Sequence, residues 1–223
     1  VEATFRVSGR QPEIWRAETG ERVSVGFRQE GGMTRVRLDL APQDAFFVVF
    51  RDKTDRAAQP DVASVEQTVL TVSGSWAVSF QPGRGAPEQP VTFATLAHWN
   101  ESADARIRYF SGVATYKQTV QVPGASVRPG ARMLLDLGTV NDLAEVWVNG
   151  TRMGVAWHAP YRLDISSALR AGSNELEIRV ANRWVNRLVG DVQPGATRYT
   201  VTQGPVYEPS APLTPSGLGG PVR

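Results

Sequence analysis

An Asn-Gly pair at positions 149 and 150, set between the runs AEVWV and TRMGV, constrains this chain more than any other short segment. Both central residues of a two-residue hairpin take positive φ, which Asn and Gly tolerate, so the flanking runs are expected to fold back as antiparallel strands. Pairing Val148 with Thr151 sets Val146 against Met153 and Ala144 against Val155 on an apolar face, with Trp147 and Arg152 on the other. Trp157 continues the face of Met153 and Val155 and is therefore expected in the core. Downstream, Ala159-Pro160 interrupts pairing, residues 161–165 form a short strand, and Ser166 caps one helical turn that stops near Gly172. Alternation then returns. Leu176, Ile178 and Val180 face one way and Glu175, Glu177 and Arg179 the other, with Trp184 prolonging the apolar side.

The same period of two runs through the rest of the chain. Residues 1–55 read as a small antiparallel sandwich of short strands and polar turns, in which FFVVF at 46–50 is expected to be a central strand covered on both faces. Residues 56–67 are charged, contain Pro60 and lack periodicity, the marks of a linker. Residues 68–207 form the larger domain, including a long β run over 107–122 in which Ala114, Tyr116, Val120 and Val122 share a face. Residues 208–223, rich in Pro and Gly, are expected to lie extended on the surface or to fray. The fold class is all-β: an antiparallel β-sandwich or jelly roll preceded by a smaller β-sandwich segment. A chain of 223 residues can bury one large core or two modest ones.

Several kinds of chemistry drop out. Lys plus Arg number 24 against 22 for Asp plus Glu, a net charge of +2, which argues against nucleic acid or an anionic membrane as partner. Cysteine is absent, so disulfides, thiolate metal sites and thiol nucleophiles are absent too. The two histidines, His98 and His158, are too few for a three-ligand zinc centre. No apolar run is long enough to cross a bilayer. The chain starts at Val1 within what reads as a strand, as a fragment or processed piece would.

Family resemblance adds to this. The pattern VWVNG, then Pro160-Tyr161, then DIS-x-x-L-x-x-G-x-N-x-L-x-I-x-V-x-N from Asp164 to Asn182 resembles the galactose-binding-type jelly roll attached to many glycoside hydrolases, family 2 among them. The continuation WVNRLVGD at 184–191, with YFSGVATY at 109–116 and SGLGGPV at 216–222, is similar to the C-terminal part of glycoside hydrolase family 106, the α-L-rhamnosidases. The resemblance implies a bacterial, secreted or periplasmic polysaccharide-degrading enzyme. The present region would support its catalytic domain and contact a plant cell-wall or other rhamnose-containing glycan. An autonomous carbohydrate-binding module and a purely structural domain stand as alternatives. The same resemblance raises a structural calcium, with Asn141, Asp142 and Asp191 as conceivable oxygen donors, although no spacing is diagnostic.

Catalytic residues are not expected within the chain. Glycoside hydrolysis needs two carboxyls flanking the scissile bond, whereas Glu145, Glu175 and Glu177 sit opposite the apolar face as solvated charges. The strand-helix alternation of a (β/α)₈ barrel is missing. Sugar binding asks for something else: aromatic faces for C–H surfaces, beside amide, guanidinium or carboxylate partners at loop ends. Two groups meet that requirement. One is Trp147 with Arg152. The other is Trp157, His158 and Tyr161 with Asn182, Trp184, Asn186, Arg187 and Asp191. Core packing competes for Trp157 and Trp184, and satisfaction of buried carbonyls competes for Asn186 and Arg187.

Overall fold

The computed structural model describes residues 1–61, 65–128 and 130–223, and the chain divides into two compact units, Val1–Gln67 and Thr68–Arg223. The described residues of unit 1 form the strands β1 (Glu2–Phe5), β2 (Arg10–Arg16), β3 (Arg22–Ser24), β4 (Phe27–Glu30), β5 (Met33–Arg37), β6 (Phe46–Lys53) and β7 (Ala58–Gln59). They form two sheets, ordered β1-β5-β4-β7 and β3-β2-β6. Ile14, Phe27 and Val36 are buried, and Phe5 and Phe50 pack with ring centroids 5.2 Å apart. Gly31 and Gly32, at φ 58° and 77°, close the β4–β5 hairpin.

Two expectations need correction here. The apolar run FFVVF belongs to an edge strand, not a central one: among the described residues β6 pairs with β2 alone, and Phe47 is 63% exposed. The proposed linker is partly built into unit 1. Ala58 and Gln59 pair with Arg28 and Phe27, and Asp61 Oδ1 accepts the Gly26 N–H at 2.9 Å, over a glycine with no room for a side chain. Residues 62–64 of that segment lie outside the described residues.

Unit 2 is built on β8 (Trp76–Phe80), β9 (Val91–Phe93), α1 (Ala105–Arg108), β10 (Val113–Val122), β11 (Leu134–Asp136), β12 (Thr139–Asn141), β13 (Leu143–Val148), β14 (Thr151–Ala156), β15 (Arg162–Asp164), β16 (Gly172–Ala181), α2 (Val185–Asp191) and β17 (Gly217–Gly220). Six strands make one antiparallel sheet, ordered β14-β13-β16-β10-β8-β9. Its inner face carries Ala114, Tyr116, Val146, Ile178 and Val180, all fully buried, against Leu135, Leu137, Val140, Ile165, Leu218 and Val222 from the opposing short ladders β11-β15 and β12-β17 and the segments beside them. The expected alternation of Leu176, Ile178 and Val180 against Glu175, Glu177 and Arg179 is present throughout β16.

Local details depart from the sequence reading. Ile107 is not in a strand: Asp104 accepts the Arg106 N–H at 2.9 Å and caps a helical turn, α1, and β10 starts only at Val113. After β15, Asp164 takes the capping role assigned to Ser166, accepting both its N–H at 3.0 Å and its O–H at 2.6 Å, and the turn does not extend into a helix. The hairpin forms at Asn149 (φ 51°) and Gly150 (φ 78°), but its register slips by a bulge: Trp147 pairs with Arg152 while Val146 pairs with Gly154, leaving Met153 as the extra residue. A bulge reverses the parity of everything beyond it. Ala156 therefore turns inward and Val155 and Trp157 outward, and Gly154 takes up the distortion at φ 140°.

The expected loose tail is a structural strand. β17 pairs with β12, and Ser216, Gly217, Leu218 and Val222 are buried. Its glycines let backbone lie flat against side chains. A Cβ on Gly217 would stand 2.5 Å from Trp99 Nε1, one on Gly219 2.6 Å from His98 Cε1, and one on Gly220 2.9 Å from Leu96 Cδ1. Beneath the strand, Tyr116 Oη accepts from Trp99 Nε1 at 2.5 Å and from the Leu218 N–H at 3.2 Å. Burial pushes this phenol well above its ordinary pKa against both hydrogen bonds, so it stays protonated.

Candidate functional site

One end of the six-stranded sheet gathers the last residues of β8, β14 and β16 and the first of β10 and β13. There Asp142 donates its N–H to Ala181 O at 2.9 Å, and its Oδ2 accepts from both N and Nε of Arg183 at 3.1 Å. Tyr161 Oη donates to Asp142 O at 3.2 Å. Burial and then the Asp142 charge raise the Tyr161 pKa, which keeps the hydroxyl a donor at neutral pH. Trp184 follows Arg183 at the start of α2 and is 55% exposed; Trp157, thrown outward by the bulge, is 60% exposed. His158 meets Trp157 edge-on at 4.9 Å, with Nδ1 2.8 Å from Ala159 O. β14 and β16 are separated by β13 alone, so the strand ends that precede the two indoles lie about 10 Å apart across the sheet.

This end therefore brings together Trp157, His158, Tyr161 and Trp184 from the expected group. It adds the Asp142–Arg183 pair, which the sequence reading did not single out as a sugar contact. Arg183 had a faint signal: it prolongs the outward polar face of Glu175, Glu177 and Arg179 past the end of β16.

The remaining members of that group are structural. Asn182 is partly buried, accepts the Gly112 N–H at 2.9 Å and donates to Phe110 O at 3.0 Å. Asn186 is fully buried and ties Thr214 and Ser216 to α2. Arg187 Nε lies 2.8 Å from Asp191 Oδ1 in a buried ion pair, and the guanidinium covers the Tyr199 ring at 5.1 Å. Asp191 also accepts from Tyr199 N at 3.1 Å, Thr200 N at 2.8 Å and Thr200 Oγ1 at 2.5 Å. These contacts anchor the segment that follows α2.

The first expected group is also engaged elsewhere. Trp147 and Arg152 do share the outer face as paired neighbours, but Arg179 lies 3.9 Å over the Trp147 ring and Arg152 is paired with Glu145. Glu177 completes this ladder with Lys117 at 2.9 Å and Arg179 at 2.7 Å. Burial raises the Glu177 pKa, but the hydrogen bonds from Lys117 and Arg179 outweigh it and leave the group below its ordinary value. Asp104, bonded to Arg106, and Asp164, where burial is offset by Ser166 and Arg132, are likewise lowered. A general acid needs the opposite shift.

The conceivable calcium donors do not assemble a site. Asp191 is surrounded by N–H and O–H donors, Asp142 is held by Arg183, and the Asn141 amide meets His98 Nδ1 at 3.2 Å. Among the described residues no group of three or more His, Asp or Glu is placed to hold a metal.

Asp191 makes one prediction about pH. Burial raises its pKa, but the bonds from Thr200 and Tyr199 and the Arg187 charge overcome this and hold it below its ordinary value of 3.8. A carboxylate lowered in the folded state contributes stability that is complete above its unfolded pKa and is lost as pH falls through the folded pKa. Urea midpoints are therefore expected to hold from neutrality to about pH 5 and to fall below about pH 4. Asp191→Asn should have a shallower acid limb; an identical limb in both proteins would show that this carboxylate carries no acid sensitivity.

Residues 100–206 match the glycosyl hydrolase 2 galactose-binding domain-like family. A protein of Formosa agariphila, provisionally named a beta-glucuronidase, is 37% identical over 142 residues, which is 64% of this chain and 12% of that protein. The solved structure of a rhamnosidase from Novosphingobium sp. PP1Y superposes with a TM-score of 0.95 at 51% identity, covering 100% of this chain and 21% of that one. The chain thus spans about a fifth of the rhamnosidase and about an eighth of the Formosa protein.

Proposed function

We propose that this chain, a rhamnosidase-like sequence whose residues 100–206 form a galactose-binding-like domain of the glycosyl hydrolase 2 type, is a non-catalytic accessory region of a rhamnosidase-type glycoside hydrolase. It supports the catalytic domain and holds a rhamnose-containing glycan at the sheet end marked by Trp157 and Trp184. The polymeric substrate places the work outside the cytoplasm, in the secreted or periplasmic space. One observation carries the binding half of this reading: two indoles, each more than half exposed, follow strand ends at the same end of the sheet as a carboxylate–guanidinium pair. Indole offers a flat apolar surface for the C–H side of a sugar ring, and the Asp142–Arg183 pair offers an acceptor and donors for its hydroxyls. The accessory half is supported by the engagement of Glu177, Asp164 and Asp191 with cations and backbone, which holds each below its ordinary pKa and leaves it ionised instead of poised to donate a proton.

Titration with L-rhamnose, galactose and a rhamnose-containing pectic fragment, followed by tryptophan emission, tests this. Loss of one stacking face costs on the order of 1–2 kcal/mol, so Trp157→Ala and Trp184→Ala are each expected to weaken binding roughly tenfold. Trp147→Ala, whose ring already carries Arg179, should leave affinity within about twofold. Absence of any response to all three glycans refutes the binding half and leaves the scaffold role. Hydrolysis of an aryl rhamnoside by the purified chain refutes the accessory half.

A further inference from the structure

The tip of the β13–β14 hairpin holds a chemically labile dipeptide. In an Asn-Gly pair the glycine nitrogen can attack the asparagine carboxamide carbon, because no glycine side chain obstructs the approach. Here the nucleophile is open: Gly150 is exposed, and a Cβ built on it would meet nothing within 4 Å. The electrophile is held. Asn149 Nδ2 donates to Ala168 O at 2.9 Å and to Asn174 Oδ1 at 2.8 Å, while Asn149 Oδ1 accepts the Glu175 N–H at 2.9 Å. The Asn149 N–H donates to Glu175 O at 2.9 Å, so backbone and side chain together continue the β13–β16 ladder past Val148.

Asn174 fixes which way round this carboxamide sits. It is 2% exposed; its Oδ1 also accepts the Arg170 N–H at 3.0 Å, and its Nδ2 donates to Arg170 O at 2.7 Å and Gly172 O at 3.0 Å. Exchanging oxygen and nitrogen in either side chain would set donor against donor and acceptor against acceptor, so the network admits one arrangement. Cyclisation at Asn149 expels the very nitrogen that Ala168 and Asn174 hold. It therefore cannot proceed while the tip stays closed.

We propose that Asn149 is a deamidation site gated by folding, silent in the closed hairpin and reactive once the tip opens. The Gly150 nitrogen loses its proton and bonds to Asn149 Cγ, the Cγ–Nδ2 bond breaks, and ammonia leaves. Water then opens the cyclic imide at one carbonyl or the other, giving aspartate or isoaspartate. Either product sets a carboxylate, which cannot donate, against Ala168 O and Asn174 Oδ1, and isoaspartate also adds a methylene to the backbone of the turn. The tip cannot close as before, so one excursion leaves a permanent mark on the strand pair that leads to Trp157.

The test is peptide mapping by mass spectrometry of the 223-residue chain, incubated in mildly alkaline buffer with and without enough urea to unfold it. Acid at position 149 is expected to accumulate about tenfold faster, or more, in urea. Asn174→Ala removes one of the three side-chain partners and should raise the rate without urea by roughly threefold or more. Should that variant misfold, the two wild-type rates still decide. After the urea is removed, molecules carrying the acid should unfold at a lower urea concentration than those retaining Asn149. Equal wild-type rates in the two conditions would overturn the gate, as would a folded Asn174→Ala protein that converts as slowly as its parent. Absence of acid at position 149 in the unfolded chain would overturn the site itself.

Discussion

Removal of residues 215–223 is expected to unfold unit 2 at room temperature, although sequence composition marks this segment as the most dispensable part of the chain. Leu218 and Val222 are completely buried, and burying such side chains is worth about 1.5–3 kcal/mol each before the cost of the cavity they leave. Polar losses are added to this. Truncation takes away the donor to Tyr116 Oη, the acceptor for Trp99 N–H at 2.9 Å, the acceptor for Val72 N–H at 2.9 Å, and the two-bond exchange between Asp136 and Arg223. Each buried group left without a partner costs about 1–3 kcal/mol. Together these approach the whole stability of an ordinary domain, about 5–15 kcal/mol. Near-ultraviolet circular dichroism reports on Trp76 and Trp99, which are buried beside the missing strand. A truncated protein that keeps its aromatic signal and unfolds within about 1 kcal/mol of the parent would refute the strand's role. Gly217→Val is the point-substitution version: φ is 87° and the new Cβ would meet the Trp99 ring, so strain and overlap act together.

The tail shows where a sequence stops being legible. Period-two alternation is a local property, and it located β10, β16 and the hairpin because each strand's own residues state which face is wet. The glycines of β17 state only that side chains are missing. Loose tails and tightly packed strands share that composition, and the reason for glycine here lies in Trp99 and His98, over a hundred residues earlier. The bulge at Met153 is invisible for a similar reason: it belongs to the pairing of two strands, and its consequence is that Trp157 faces solvent although simple alternation buries it. Helix α2 has no side-chain cap and contains Val185, Val189 and Gly190, all weak helix formers, so burial of Asn186, Arg187 and Val189 must supply what propensity does not. The spacing of Arg187 and Asp191, four residues apart, was its one local signal. The run FFVVF misleads for a related reason: five apolar residues in a row read as a strand covered on both faces, but among the described residues β6 pairs with β2 alone and Phe47 is exposed. The candidate site was half legible. Aromatic content picked out Trp157 and Trp184, whereas the polar residues most suggestive of sugar contact turned out to hold the scaffold.

That division of roles is tested at Asp191. Its side chain is 3% exposed and that of Arg187 7%, so deleting either partner strands a charge in the interior. Asp191→Ala and Arg187→Ala are each expected to destabilise unit 2 by roughly 3–5 kcal/mol, the usual cost of breaking a buried pair from one side. The double variant should lose less than the sum, because the second deletion removes the charge exposed by the first. Asp191→Ala carries a further local effect: Tyr199 N and both donors of Thr200 lose their acceptor, so proteolysis within residues 195–202 should accelerate well before global unfolding. Glycan affinity, measured where the variant is still folded, should stay within about twofold of wild type, since the indoles at the sheet end do not depend on this carboxylate for their exposure. The reverse pattern, unchanged stability with lost affinity, would move Asp191 from the scaffold into the binding site. It would also move the proposed glycan site from the Trp157–Trp184 end to the α2 loop.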